Sequence, residues 1–230
     1  MARTVTLSDM RTRVRQRADM VNSTFVTDAE VNQFINDAIA ELYDLLMQKF
    51  GDDYFTVSGP ETSFVTNQLD YALPDDFLKE VGVDLKIDSQ NWVTLKPFMF
   101  TERNRFNNIL SRGVLAYNTT YYKLVGNNLQ FTQIPGNNTK FRLWYIPYQP
   151  VLVSDSDTFD GFNGWEKYPE IVAAITCLNK EESDTVSLER ELGRILKRVE
   201  DASQNRQAGM GYRVTDVRNI TNDEVGIFNR

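Results

Sequence analysis

One stretch, residues 25–50, FVTDAEVNQFINDAIAELYDLLMQKF, constrains the fold more than any other. Val31, Phe34, Ile35, Ala38, Ile39, Leu42, Leu45 and Leu46 recur in it at steps of three and four. That spacing gathers them on one wide apolar face of a helix of about six turns. Thr27 and Glu30 have the spacing of a capping box, in which each side chain serves the other's backbone N–H. Asp28 and Glu30 suit the positive end of the helix dipole, Lys49 suits the negative end, and Gly51 supplies a stop. So wide a stripe is not stable against water, and other helices must cover it.

Helical patterns at both ends of the chain can do so. Thr6 to Met20 reads as a helix capped by Thr6 or Ser8, with Leu7, Met10, Val14 and Val21 on one stripe. Pro169 fits the first turn of a helix from Tyr168 to Lys180, with Ile171, Ile175 and Leu178 on one side. Ser183-Asp184-Thr185 breaks that helix and caps a last one running to Gln207, with Leu188, Leu192, Ile195, Leu196 and Val199 inward; Gly209 and Gly211 stop it. Between these ends the pattern changes to short aromatic and β-branched runs. Tyr54–Ser58, Thr62–Val65, Leu69–Leu73, Lys79–Ile87, Trp92–Phe98 and Phe141–Tyr145 read as strands. Tyr121–Val125 and Leu129–Ile134 flank Gly126-Asn127-Asn128 as a hairpin, and Thr101–Leu110 reads as a brief helix.

The expected class is therefore α+β. Four main helices, two N-terminal and two C-terminal, form a bundle domain from residues 1–52 and 165–208. A mainly antiparallel β region, 53–164, is inserted between them. Residues 209–230 follow as an extended C-terminal arm. The arm lacks a helical stripe yet keeps Tyr212, Val214, Val217, Ile220, Val225, Ile227 and Phe228. A disordered tail normally sheds such residues, so these are expected to order on a partner. An arm of this length could reach roughly 65 Å at about 3.4 Å per residue.

Chemistry is hard to find. The chain has no histidine, which removes the commonest general base and the commonest metal ligand. Its one cysteine, Cys177, sits in an apolar helical run and reads as a buried small residue. There is no phosphate-binding glycine loop and no nucleophile elbow. Asp155, Asp157, Asp160 and Glu166 resemble a calcium loop imperfectly: Phe159 stands at the fifth position and Asp160 where the sharp-turn glycine belongs. A solvated turn is the better reading. No enzyme activity, cofactor or metal is expected; a metal-dependent hydrolase using that loop is the least favoured alternative. A formal net charge of −7 argues against tight nucleic-acid binding. No apolar run approaches the roughly 20 residues of a membrane span, and the N-terminus shows no secretory signal.

The helical ends carry a resemblance. LSDMRTRVRQRADMVNSTFVTDAEVNQFINDAIAELYDLL resembles the N-terminal part of the head-to-tail adaptor (connector, neck) proteins of tailed bacteriophages. The matching residues are Asn22, Ser23, Phe25 to Asp28, Glu30, Ile35, Asn36 and Ile39 to Asp44. Tyr71-Ala72-Leu73-Pro74-Asp75-Asp76-Phe77 resembles a signature of virion neck proteins. The resemblance implies a structural virion protein, made in the host cytoplasm and sited at the neck. It would form a homo-oligomeric ring of about twelve subunits, dock on the portal, meet a downstream tail or nozzle protein, and let duplex DNA pass without specific binding. The C-terminal arm would be its portal-docking segment. Arg11, Arg13, Arg15 and Arg17 alternate on the first helix with no interleaved aromatics; the plain alternative is a solvated surface paired with local acids, and the expectation is subunit or portal contact and no reading of DNA. A tail-tube or tail-terminator subunit is the alternative, since the middle of the chain is β-rich.

Overall fold

A computed structural model describes residues 4–102, 120–133, 139–161 and 164–205. Its described elements are α and β in separate blocks, and the class is α+β. The long helix, α2, spans Asp28–Phe50, between Thr27 and Gly51 as its spacing predicts. Both arms of the capping box form: Glu30 N–H donates to Thr27 Oγ1 at 3.3 Å, and Thr27 N–H donates to Glu30 Oε2 at 2.9 Å. The first helix, α1, is shorter than expected at Leu7–Arg17. Asp19 takes a left-handed φ of 55°, which ends it. Val21 therefore falls outside the stripe and is 59% exposed. The C-terminal pair, α3 (Lys167–Lys180) and α4 (Val186–Asn205), follows the predicted bounds closely.

All four helices contribute to one apolar core. Leu7, Met10 and Val14 come from α1, Val31 to Leu46 from α2, Ile171 to Cys177 from α3, and Ile195 and Val199 from α4. Cys177 is buried there, and burial pushes its thiol pKa up. No helix among the described residues is long and apolar enough to cross a membrane.

A second core fills the β region. One sheet has the order β2 (Val57–Ser58), β10 (Lys140–Pro147), β5 (Phe77–Lys86), β6 (Trp92–Thr94), with β3 (Thr62–Ser63) also on β10. The other has β4 (Asp70–Ala72), β9 (Asn128–Phe131), β8 (Tyr121–Val125), β7 (Lys96–Pro97). Val83, Leu85, Phe141, Leu143 and Tyr145 from the first sheet meet Tyr71, Tyr122, Leu129 and Phe131 from the second. Phe64, Tyr71, Phe131 and Phe141 pack edge-on and tilted, with ring centroids 4.8–5.8 Å apart.

Three expectations need correction here. Tyr54 is not in a strand: Asp52–Tyr54 makes a 3-10 turn because Tyr54 stacks back on Phe50 and Phe55 packs on Tyr43. Residues 92–97 are not one strand. At Leu95 they cross from the first sheet to the second, where β7 pairs parallel to β8. The helix expected over Thr101–Leu110 begins in a 3-10 turn at Phe100–Glu102, and its remaining residues, 103–110, lie outside the described residues.

The chain returns from the β region across the face of α2. Asn36 fastens it in both directions: its Nδ2 donates to the Leu152 carbonyl at 3.0 Å, and its Oδ1 accepts from the Leu152 N–H at 2.8 Å. Tyr43 donates to the Pro147 carbonyl at 2.8 Å, and Tyr168 donates to Glu41 at 2.8 Å. Burial, reinforced by Asp44, raises the Tyr43 hydroxyl pKa to about 12. Then β11 (Thr158–Asp160) pairs antiparallel with β1 (Thr4–Thr6), tying the return to the entrance of α1. Asn36→Ala should keep α2 helical but strand both backbone groups of Leu152. We expect a loss of about 1–3 kcal/mol in urea unfolding; a loss below about 0.5 kcal/mol would mean the strap does not depend on Asn36.

Candidate functional site

The segment joining α1 to α2 is an exposed loop held from two sides by side chains of α1 and α3. Arg15, in the last turn of α1, organises it. Its guanidinium donates to the carbonyls of Met20 (3.3 Å), Ser23 (3.1 Å) and Val26 (2.8 Å), and to Asp28 Oδ1 at 2.6 and 3.1 Å. The planar fork suits this task, because five donors can meet several oxygens at once. Lys180, at the end of α3, holds the loop from the other side. It lies 2.6 Å from Glu30 Oε1, 3.4 Å from the Phe25 carbonyl and 5.1 Å from the Phe25 ring centre. Between these clamps Phe25 stays 53% exposed, beside a surface hollow of about 580 Å³ lined by Arg11, Arg15, Val21, Ser23, Thr27 and Asp28.

The other arginines of α1 also find partners in their own chain. Arg11 donates to Asp155 at 2.8 Å and to Asn32 at 3.3 Å. Arg13 pairs with Glu170 at 2.8 Å, and Arg17 reaches Glu170 at 3.4 Å and Glu191 at 3.3 Å. The Glu170 side chain is only 2% exposed, so these two cations neutralise a carboxylate set into the helical core. The hydrogen bond to Glu170 raises the Arg13 pKa further. The sequence points to the four arginines and to pairing with nearby acids, but not to partners up to 174 residues away.

The residues of the calcium-like loop serve the fold. Asp157 accepts from the Val153 and Ser154 N–H groups at 2.8 Å each, which lowers its pKa; Asp155 takes Arg11; and Asp160 lies in β11. No group of three or more His, Cys, Asp or Glu among the described residues could hold a metal. The neck signature at 71–77 is a link between sheets. Tyr71 is in the β core, Asp76 accepts from the Tyr145 hydroxyl at 2.9 Å, and Phe77 stacks on Tyr145. Tyr212, Val214, Val217, Ile220, Val225, Ile227 and Phe228 lie outside the described residues.

The family model described as SU10 adaptor protein matches residues 5–213, from the first strand past the last helix. The chain belongs to this family of phage head-tail adaptors. No individual curated protein matches it. The SU10 adaptor match covers both the stapled loop and the three α2 side chains that fasten the returning strap. The resemblance in the sequence is thus carried by residues with defined contacts. Asn22 to Asp28 and Glu30 form the clamped loop and its cap, and Asn36, Glu41 and Tyr43 hold the return.

Glu30 makes this loop sensitive to acid. The hydrogen bond from Lys180, then those from Thr27, hold its pKa near 2, against an ordinary 4.5. A carboxylate depressed in the folded state stabilises it fully above 4.5, and that contribution is lost as pH falls toward 2. We expect Glu30→Gln to destabilise the protein at neutral pH and to make its stability less dependent on pH across that window. Urea unfolding at several pH values checks this; parallel pH profiles for the two proteins would refute it.

Proposed function

We propose that the chain is a ring-forming head-to-tail adaptor of the virion neck, one that docks on the portal, connects it to the tail and lets the genome pass through its lumen. The observation that carries this reading is the family match over residues 5–213. On this reading residues 1–52 and 165–208 form a four-helix bundle domain, 53–164 an inserted β region and 209–230 an extended arm. The shared core of the four helices and the separate core of the β region support that division.

The chain then acts by position and charge, with no catalytic step. About twelve copies at −7 each would bring roughly −84 to the neck. Where that charge faces the lumen it repels phosphate, so duplex DNA passes without specific binding. Arg11, Arg13, Arg15 and Arg17 contribute to subunit or portal contacts through the loop and acids they organise; Arg13 has the most exposed of their side chains where these pair with acids. Tyr212, Val214, Val217, Ile220, Val225, Ile227 and Phe228 supply the portal-docking surface of the arm. A downstream tail or nozzle protein binds the opposite end.

Mixing the purified chain with assembled portal rings tests this. The expected product is a complex whose mass adds a full ring of adaptor subunits. A protein truncated after Gln207 should fold with the same helical circular dichroism and fail to join the portal. A full chain that never associates with portal would overturn the reading; a truncated chain that joins with unchanged affinity would remove the arm from it.

A further inference from the structure

The arginines of α1 find acids in their own chain; among the described residues the cations Arg190, Arg194, Lys197 and Arg198 of α4 do not. Arg190, Arg194, Lys197 and Arg198 are exposed. None has a carboxylate partner among the described residues. Their spacing sets them on one helix face, opposite Leu188, Leu192, Ile195 and Val199, which face the core. Arg190, Arg194 and Arg198 stand at successive four-residue steps, where like charges repel. Gly193 lies beside it in mid-helix, where glycine is a poor helix former. A Cβ added there would meet nothing within 4 Å, so no contact among the described residues demands glycine.

The outer face of α2 carries the complement. Asp37, Glu41 and Asp44 are exposed and spaced by four and three residues; Asp37 and Asp44 carry the row, and Glu41 between them also accepts from the Tyr168 hydroxyl. Exposed Ala40 lies beside them as a small residue. Both rows extend over about 10 Å of helix, from Asp37 to Asp44 and from Arg190 to Lys197. Among the described residues no ion pair joins the two rows within one chain.

We infer that the basic row of α4 in one copy docks on the acidic row of α2 in the next. This deepens the ring reading above and rests on it. Two different, complementary faces of one chain make a head-to-tail contact, which closes into a ring instead of a two-fold dimer. Gly193 and Ala40 let the two helices approach, and the flanking charges set register and orientation. The row could instead meet nucleic-acid phosphate, but the acidic chain offers a matching row of its own.

The test uses the full chain, alone and on portal rings, reading mass and copy number, with circular dichroism as the check on folding. Arg190→Glu/Arg194→Glu should raise the concentration needed for assembly about a hundredfold or more, and so should Asp37→Lys/Asp44→Lys. A chain carrying all four reversals should assemble again. Gly193→Leu, which changes no charge and has open space in its own chain, should fold and block assembly; it decides the matter if a reversal variant fails to fold. Assembly of Arg190→Glu/Arg194→Glu with unchanged salt dependence, unhindered assembly of Gly193→Leu, or no rescue by the four reversals, overturns the inference and leaves the ring reading standing. A wild-type chain that forms no ring even on portal overturns both. Duplex DNA binding that Arg190→Glu/Arg194→Glu abolishes, with assembly intact, assigns the row to phosphate and overturns the inference.

Discussion

The fold depends on how a backbone that has left the helical core for about a hundred residues is brought back to it. A strap crossing an apolar helix must have its N–H and C=O groups satisfied, or burial costs more than it returns. Here α2 supplies the partners from its own side chains: Asn36 for both groups of Leu152, and Tyr43 for the carbonyl of Pro147. Glu41 then receives Tyr168 at the start of α3. With those three contacts and the pairing of β11 on β1, the C-terminal helices re-enter beside α2 and close its stripe. The β region keeps a core of its own between an exit and a return that both pack on one helix.

The cations of α1 and of α4 are used differently in this acidic chain. Those of α1 are consumed internally: they neutralise Glu170, hold Asp28 and Asp155, and satisfy the carbonyls of the α1–α2 loop. Removing a partner from such a set leaves a poorly solvated charge, so they act on the shape of the chain. The cations of α4 are exposed and face solvent, where a neighbour's charge would act on assembly and its salt dependence. An adaptor has use for both, since a subunit must be rigid before its faces can select a neighbour.

Much of the helical half is legible in the sequence, because period and capping are local. Thr27 with Glu30, the stripe from Val31 to Leu46, and Cys177 in its apolar run all follow from spacing within a few turns. The hairpin at Gly126 is equally local. What the sequence hides is long-range. Thr4–Thr6 is too short to announce a strand until Thr158–Asp160 lies beside it. Asp155 and Asp157 read as a solvated turn, and Asp157 does hold that turn; that Asp155 serves Arg11 on a distant helix is what spacing does not place. Asn36 and Tyr43 are polar or half-polar positions on a core-facing helix, and that irregularity is the one signal that could have marked the strap. Gly161 is similar: a Cβ there would collide with Glu166, yet nothing nearby in the sequence says so.

The most direct test of the account is an image of the virion neck with this subunit labelled, at a resolution that separates helices. The account predicts a closed ring at the portal vertex, with α4 of each subunit against α2 of its neighbour. Subunits spread along the tail tube, or a neck ring in which both of those helix faces are open to solvent, would contradict it.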